Sequence, residues 1–194
     1  MKLRGLYAIT PETFTLDAAQ AALAGGIAML QYRKKNPDRA EARELARLAR
    51  RHRVPFIVND DVELALELEA DGAHLGREDG ALQVARKRLP GRLLGASCYD
   101  RLDLARAAVA CGADYIAFGS VFASPTKPGA ARAPLSLFAQ ARALGVPLCA
   151  IGGITLDNAS SVIAAGADLL AVISDLFEAP DIATRARHYG ALFK

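Results

Sequence analysis

Short apolar segments alternate with helical patterns eight times along this chain, and this alternation limits the folds open to it. The segments predicted as strands cover residues 6–9, 27–31, 54–58, 73–75, 93–97, 115–118, 147–151 and 169–173. The predicted helices cover residues 16–23, 38–52, 62–69, 81–89, 102–111, 135–144, 156–165 and 182–192. Strands that alternate with helices pair in parallel through right-handed crossovers, and eight such units close into a barrel. The sequence therefore predicts a single-domain (β/α)8 TIM barrel that spans residues 1–194.

A repeated pattern supports the count of eight units. The segments EADGAHL, CGADYIAF and AGADLLAV each join a helix end to a strand through a small residue and Asp, in the fourth, sixth and eighth units. The alternative fold is an open, doubly wound parallel sheet. The dinucleotide-binding form of that fold has the motif GxGxxG after its first strand, and this chain has no such motif there. We therefore expect the closed barrel.

Composition argues against several classes of function. The net charge is only +3, and Lys and Arg are interleaved with Glu and Asp, which argues against a nucleic-acid-binding surface. Arg39, Arg43, Arg47 and Arg51 form a basic helix face without aromatic residues, which is typical of a solvated face. The three cysteines have no CxxC spacing, so neither a disulfide framework nor a zinc site is predicted. Because no apolar run reaches the length of a membrane span and no signal peptide is evident, we expect a protein of the reducing cytoplasm.

Two acidic residues follow consecutive predicted strands, where parallel α/β folds carry their active sites. Asp60 lies just beyond the end of the third strand, and Asp79 just beyond the end of the fourth. Neighbouring strands lie about 4.8 Å apart, so the two carboxylates could share one hard cation such as Mg²⁺. The alternative is that each Asp caps the N-terminus of the following helix, which is the commoner role of an Asp after a strand. The choice between a metal site and helix caps therefore depends on which side chains follow the other strands.

The remaining strand ends carry groups suited to phosphates. The segment QYRKK after the second strand contributes amide and cationic donors, which suit a diphosphate. The long sixth loop, SVFASPTKPGAARAP, contributes hydroxyls and a Lys, and loops of this length are often functional. The turn GG after the seventh strand lets backbone N–H groups approach a ligand, and a Ser follows the eighth. The residues selected on these grounds are Gln31, Arg33, Lys35, Asn59, Ser97, Ser124, Thr126, Lys127, Gly152, Gly153 and Ser174.

We expect these groups to form two anion pockets, one linked to the acidic pair on the early strands and one on the late strands. Two phosphorylated substrates would explain both pockets. His74 lies within the segment ADGAHLG and is interpreted as a wall residue rather than a base. Cys98 has no activating partner in the sequence and is interpreted as a packing residue. A mechanism with little proton transfer and much charge stabilisation fits these residues best.

An ordered set of motifs resembles the thiamine-phosphate synthase family from end to end: LYAIT, QYRKK, FIVNDDVELA, DGAHLGRED, GASCY, GADYIAFGSVFASPTKPGA, PLCAIGGI and AVIS. The resemblance implies a barrel that condenses a hydroxymethylpyrimidine diphosphate with a thiazole phosphate, or its carboxylated form, to give thiamine phosphate and pyrophosphate. It also implies that Mg²⁺ and cationic side chains stabilise the departing pyrophosphate while the thiazole nitrogen attacks a pyrimidine methylene cation. No protein nucleophile is needed.

Carried over residue by residue, the resemblance implies three sets of site residues. The Mg²⁺ ligands would be Asp60 and Asp79. The pyrimidine diphosphate would be held by a set in which the charged residues and the Ser also act in catalysis: Gln31, Arg33, Lys35, Asn59, Ser97 and Lys127. The thiazole phosphate would be held by Ser124, Thr126, Gly153, Ile173 and Ser174.

The chain departs from the family pattern at three positions. Arg77 stands where the family usually has Gln, Ser124 where it has Thr, and Ser120 where Pro is common. Ser keeps the hydroxyl of Thr, whereas Arg77 adds a charge beside the metal pair.

Two alternatives keep the same barrel. A thiazole tautomerase is similar in fold but uses a His in the loop after the sixth strand, where this chain has Ser120. A non-catalytic thiazole-phosphate-binding protein would not need Asp60 or Asp79. The synthase is therefore the first prediction. The expected partners are two phosphorylated small molecules, with no nucleic acid and no membrane, and a homo-oligomer is left open.

Overall fold

Eight parallel strands close into a barrel in the computed structural model, which describes residues 3–76, 81–123 and 132–194. The strands follow chain order, and β1 pairs with both β2 and β8, so the sheet has no free edge. In order, β1 to β8 are Gly5–Ile9, Met29–Tyr32, Phe56–Asn59, Gly72–Leu75, Leu93–Tyr99, Tyr115–Phe118, Leu148–Ile151 and Leu169–Val172. This closure confirms the predicted barrel and rules out the open doubly wound sheet.

Helices cover the outside of the barrel and return the chain to the start of the next strand. In the described residues, α1 to α9 are Leu16–Ala24, Arg39–His52, Val62–Glu67, Leu82–Arg88, Leu102–Ala110, Ser136–Ala141, Leu156–Ala164, Ser174–Phe177 and Ile182–Ala191. A 3₁₀ turn, Arg142–Leu144, extends α6. The sequence prediction has no counterpart of α8, because four residues are too few to show a helical period. Within the described ranges, no helix is both long and apolar enough to cross a membrane.

Side-chain caps fix where several helices begin. The carboxylate of Asp38 accepts hydrogen bonds from the N–H groups of Ala40 and Glu41 at the start of α2. Asp181 does the same for Thr184 at the start of α9. Each such cap stabilises a helix by about 1 kcal/mol. The caps therefore set the points at which the loops from the barrel enter the outer layer.

The basic face of α2 is paired with acidic residues. Arg39 and Arg43 both contact the carboxylate of Glu67 in α3, and the next two arginines of this face contact Glu44 within α2. Because these side chains are largely exposed, each pair contributes less than about 1 kcal/mol to stability. The pairing agrees with the interpretation of this surface as a solvated helix face.

Alternate strand residues fill the interior of the barrel, as the pleat of a closed sheet requires. The apolar residues of this inner cluster are Leu3, Tyr7, Ile9, Met29, Ile57, Tyr115, Ala117, Cys149, Leu169 and Ala171. The remaining buried residues form a larger core between the strands and the helices. Gly95 of β5 makes room inside the barrel, because a Cβ at this position would lie 2.2 Å from the ring of Tyr115.

The repeated Asp of the sequence joins β4, β6 and β8 to the strand that precedes each of them. Each Asp lies just before its strand, and its N–H donates to a carbonyl of the preceding strand. Its carboxylate accepts a hydrogen bond from the N–H of the same partner residue. The three pairs are Asp71 with Phe56 at 2.8 Å, Asp114 with Leu94 at 2.7 Å, and Asp168 with Leu148 at 3.0 Å. The side chain thus supplies an acceptor that the backbone ladder lacks near the N-terminal end of the barrel.

Candidate active site

The loop after β2 is held in place by residues that follow β1. Thr10 is fully buried; its N–H donates to the carbonyl of Gln31 at 3.0 Å, and its hydroxyl oxygen accepts from the N–H of Arg33 at 3.0 Å. The carboxylate of Glu12 accepts from the N–H of Lys35 at 3.2 Å. These contacts fix the backbone of the QYRKK segment, so its side chains are carried on a defined frame.

The positive charges of the QYRKK segment have two roles: one forms an ion pair within the fold, and the others are candidates for ligand binding. Lys34 donates to the carboxylate of Glu41 in α2 at 2.8 Å, and this hydrogen bond raises the pKa of Lys34. Glu41 also accepts from the hydroxyl of Tyr32 at 3.0 Å. Among the described residues, Lys34 is the one cation of the QYRKK segment that forms an ion pair. Arg33 and Lys35 therefore carry charge that an anionic ligand can use.

Asp60 and Asp61 differ in role although they are adjacent. Asp61 caps α3, because its carboxylate accepts a hydrogen bond from the N–H of Leu64 at 2.8 Å. Asp60 has a left-handed φ of 63°, and its N–H donates to the carbonyl of His74 in β4 at 2.9 Å. Non-glycine residues in this conformation are often found at functional sites. The capping alternative for Asp60 is therefore wrong, since Asp61 fills that role.

A cavity of about 540 Å³ opens beside Asp60. Lys35, Asn59 and Asp60 line it together, so the structure brings three of the predicted residues from the ends of β2 and β3 to one place. Helix α4 contributes Val84 and Arg88 to the lining. This volume lies within the usual range of about 300–1,000 Å³ for small-molecule sites.

Five polar side chains form a hydrogen-bonded chain across the barrel, here called the interior polar chain. Nε2 of Gln31 donates to the hydroxyl of Tyr7 at 2.6 Å, and this hydroxyl lies 2.8 Å from that of Tyr115. The Tyr115 hydroxyl lies 3.1 Å from Nδ1 of His74, whose Nε2 lies 2.9 Å from Oγ of Ser97. Burial raises the pKa of both tyrosines well above the ordinary value, so both keep their protons. With both ring nitrogens occupied, His74 is a wall residue, in agreement with the sequence interpretation.

An irregularity in β5 lies next to Ser97. The register with β6 shifts between Ser97 and Tyr99, and Tyr99 has a positive φ of 54°. Bulges of this kind are common next to active sites, where they redirect a side chain. Cys98, inside the irregularity, is buried, and burial raises the pKa of its thiol to about 12. The thiol therefore stays protonated at neutral pH, which agrees with a packing role.

The glycine pair after β7 lies against the loop that follows β6. Gly152 and Gly153 have positive φ values of 102° and 65°. A Cβ on Gly152 would lie 2.0 Å from Oγ of Ser120, and one on Gly153 would lie 2.2 Å from the carbonyl oxygen of Ala123. Ser120 itself donates its hydroxyl proton to the carbonyl of Phe122 at 2.6 Å. Both glycines therefore leave the space occupied by residues 120–123, the described start of the sixth loop, and Ser120 stabilises this segment.

The end of β8 leads directly into α8, whose first residue is Ser174. The carboxylate of Asp175 accepts hydrogen bonds from Nη1 of Arg185 at 2.8 Å and from the hydroxyl of Tyr189 at 2.7 Å. Both donors belong to α9, so the last helix fastens α8 beside the barrel mouth. A short extra helix after strand eight is a frequent part of phosphate sites in this fold.

Comparison with known proteins gives the family of the chain. The family model described as thiamine monophosphate synthase matches residues 6–176. The chain belongs to this family. The thiamine-phosphate synthase of Aromatoleum aromaticum is 59% identical over 202 aligned residues, covering 99% of this chain and 97% of that protein. The thiamine-phosphate synthase of Chromobacterium violaceum is 55% identical with the same coverage.

A solved structure shows the same relationship. Thiamine phosphate pyrophosphorylase from Pyrococcus furiosus has a TM-score of 0.87 and 35% identity, over 98% of this chain and 96% of that one. These findings confirm the resemblance noted in the sequence and do not favour the tautomerase or the binding protein.

The structure brings the described members of the predicted family site to one end of the barrel. They lie at or just beyond the C-terminal ends of their strands: Gln31, Arg33, Lys35, Asn59, Asp60, Ser97, Gly153, Ile173 and Ser174. The other predicted residues, Asp79, Ser124, Thr126 and Lys127, lie outside the described residues, as does Arg77. In the parts of the chain that are described, no group of three or more His, Cys, Asp or Glu could hold a metal ion.

Several residues that support this family site were not predicted. Thr10 and Glu12 hold the second loop, and Asp175 anchors α8. The segment NDDVELA contains the signal for the true cap, because its second Asp directly precedes the helical residues. Tyr7 and Tyr115 look like ordinary core aromatics in the sequence, and no local signal shows that their hydroxyls meet.

Proposed function

We propose that this chain condenses a hydroxymethylpyrimidine diphosphate with a thiazole phosphate to give thiamine phosphate and pyrophosphate; with the carboxylated thiazole phosphate, CO2 is released as well. The observation that carries the proposal is the family match over residues 6–176, with relatives named thiamine-phosphate synthase at 59% and 55% identity. The barrel supports it, because groups able to bind anions lie at both the early and the late strand ends, as expected for two phosphorylated substrates.

The pyrimidine diphosphate is assigned to the ends of β2, β3 and β5. Arg33 and Lys35 supply positive charge and would form charge-assisted hydrogen bonds to the diphosphate. Lys35 shares the 540 Å³ cavity with Asn59, which supports a common ligand. The full set is Gln31, Arg33, Lys35, Asn59 and Ser97, with Lys127 contributed by the sixth loop.

Asp60 and Asp79 fit a magnesium site by the chemistry of their donors. Mg²⁺ prefers oxygen ligands and commonly uses one or two carboxylates together with phosphate oxygens of a substrate. Asp60 supports this assignment, because it is not the cap of α3 and it lines the same cavity as Lys35. When bound, Mg²⁺ would supply positive charge to the diphosphate oxygens.

The thiazole phosphate is assigned to the late strand ends. The backbone of Gly153 and the start of α8 lie there, and both are elements that phosphates use in this fold. The sixth loop would add hydroxyl groups to the same pocket. The full set is Ser124, Thr126, Gly153, Ile173 and Ser174.

Catalysis on this scaffold is electrostatic. The reaction breaks the bond between the pyrimidine methylene carbon and the diphosphate oxygen, and the same carbon forms a bond to the thiazole nitrogen. Negative charge then develops on the departing pyrophosphate, where Arg33, Lys35 and Lys127 would bind it. The reaction needs no protein base or nucleophile. This agrees with the structure, in which both ring nitrogens of His74 are hydrogen-bonded and the Cys98 thiol keeps its proton.

Formation of thiamine phosphate by the purified chain tests this function. Mass spectrometry should detect the product only when both substrates are present, and EDTA should suppress it until Mg²⁺ is restored. Isomerisation of the thiazole phosphate without condensation would point to the tautomerase instead. Binding of thiazole phosphate without turnover would point to the binding protein.

The two pockets can be tested separately. Lys35→Ala removes a charged donor to the diphosphate, so affinity for the pyrimidine diphosphate should fall by about 10-fold or more. Ser174→Ala should lower the affinity for the thiazole phosphate and leave the affinity for the pyrimidine diphosphate unchanged. Calorimetric titration of each variant with each substrate measures both effects. Equal effects of one substitution on both ligands would contradict the division into two pockets.

A further inference from the structure

The interior polar chain links two residues assigned to the same substrate through three residues assigned to none. Gln31 and Ser97 stand at its two ends, and Tyr7, Tyr115 and His74 stand between them. Tyr7, Tyr115 and Gln31 are at most 2% exposed, and His74 is 7% exposed. A buried chain of this kind is ordered, because each hydroxyl has one proton and each must be used.

The amide of Gln31 sets the direction of the chain. Its Nε2 can only donate, so the Tyr7 oxygen accepts this hydrogen bond at 2.6 Å, and the Tyr7 hydroxyl in turn donates to the Tyr115 oxygen at 2.8 Å. Tyr115 then donates to Nδ1 of His74 at 3.1 Å. Because Nδ1 accepts this hydrogen bond, it carries no proton, and the neutral ring has its proton on Nε2, which donates to Oγ of Ser97 at 2.9 Å. The hydroxyl proton of Ser97 is then left for another acceptor.

The surrounding residues preserve this arrangement. A Cβ on Gly95 would lie 2.4 Å from the Tyr115 hydroxyl and 2.4 Å from Nδ1 of His74, so glycine leaves the space in which these two groups meet. The rings of Tyr7 and Tyr115 pack edge to face, with centroids 5.9 Å apart. Burial keeps both tyrosines protonated, as the raised pKa values require. Each tyrosine of the interior polar chain therefore stays neutral and has one proton to donate.

We propose that Tyr7, Tyr115 and His74 are positioning residues that fix Ser97 as a hydrogen-bond donor toward the diphosphate of the substrate. The inference rests on the proposed function, which places Ser97 against that diphosphate. In the reversed order, the Ser97 proton would point to His74, and only oxygen lone pairs would face the anion. Direction within the chain thus decides whether the Ser97 hydroxyl attracts or repels the departing pyrophosphate.

The tautomer of His74 in the free protein tests the direction without any substrate. Nitrogen-15 NMR near neutral pH should show a neutral His74 with an unprotonated Nδ1 and a protonated Nε2. The signal is assigned by its loss in His74→Gln, and the exposed His52 and His188 serve as internal controls. Tyr115→Phe removes the donor to Nδ1, so it should introduce the other tautomer of His74 and leave the controls unchanged. A His74 protonated on Nδ1 in the unsubstituted protein would overturn the proposal.

A double-mutant cycle on turnover tests the positioning role. Tyr115→Phe should lower kcat by about 2- to 10-fold and leave the KM for thiazole phosphate unchanged. In the Ser97→Ala background, the same substitution should have no further effect, because the hydroxyl it orients is absent. An equal effect in both backgrounds, or no effect in either, would overturn the role. If the unsubstituted protein forms no thiamine phosphate, the proposed function fails. The NMR result still decides the direction of the hydrogen bonds in the interior polar chain.

Discussion

Replacement of Asp168 by Ala should destabilise the barrel by about 1–3 kcal/mol. The carboxylate of Asp168 accepts a hydrogen bond from the N–H of Leu148 at 3.0 Å, and Leu148 is fully buried at the start of β7. Alanine removes this acceptor, and a buried donor left unsatisfied costs about 1–3 kcal/mol. The carboxylate also lies 3.7 Å from Arg142, but the Arg142 side chain is 63% exposed, so loss of that ion pair adds little.

Differential scanning calorimetry measures the effect. For a domain of this size, each kcal/mol shifts Tm by about 2–4 °C, so Tm should fall by about 2–12 °C in Asp168→Ala. Asp168→Asn keeps a side-chain oxygen that can accept the same hydrogen bond, so its Tm should fall less. Asp100→Ala changes an exposed residue after β5 and should alter stability by no more than about 0.5 kcal/mol. If Asp168→Ala has the same Tm as Asp100→Ala, the structural role assigned to the repeated Asp is wrong.

Other substitutions test the site. Asp60→Asn tolerates the left-handed backbone but removes a carboxylate, so Mg²⁺-dependent turnover should fall more than about 10-fold at nearly constant Tm. Asp61→Ala should instead lower stability by about 1 kcal/mol and keep the Mg²⁺ dependence; loss of both properties in both variants would contradict the assignment. Because burial raises the pKa of Cys98 to about 12 from 9.0, iodoacetamide should modify partly exposed Cys111 first, as peptide mass spectrometry would show. The unfolded chain loses this proton above about pH 9 and the folded chain retains it, so the free energy of unfolding should decrease as pH rises from 9 toward 12. Gly153→Ala places a Cβ 2.2 Å from a carbonyl oxygen at a positive φ, so thermal unfolding should show a loss of more than about 1 kcal/mol.

The barrel could be predicted from the sequence because alternation and chain order are both local signals. Each predicted strand corresponds to an observed one, with differences of one or two residues at most ends. The second strand begins at Met29 rather than residue 27; Ile27 and Ala28 lie between the turn at residues 25 and 26 and the strand. Helix α8 escaped prediction because Ser174–Phe177 is a single turn fixed by Asp175 contacts with α9, and no pattern within four residues encodes such contacts.

The candidate site was predictable to the extent that strand ends reveal it. A barrel places all residues after its strands at one face, so Arg33, Lys35 and Asp60 could be grouped from chain order alone. Chain order alone does not separate the roles of Asp60 and Asp61, which depend on local geometry: Asp61 directly precedes α3 and caps it, whereas Asp60 has a left-handed φ of 63°. The interior polar chain was also beyond sequence reasoning, since its hydroxyls meet only after β1 and β6 face each other across the closed barrel.

Pyrophosphate release by the purified chain tests the central claim most directly. The enzyme is supplied with pyrimidine diphosphate and thiazole phosphate together, with each alone, and with both in the absence of Mg²⁺. The account predicts that pyrophosphate appears only with both substrates and the metal, in equal amount to thiamine phosphate. Release from the pyrimidine diphosphate alone at the same rate, or no release while thiazole phosphate still binds, would contradict the claim that this barrel couples the two substrates.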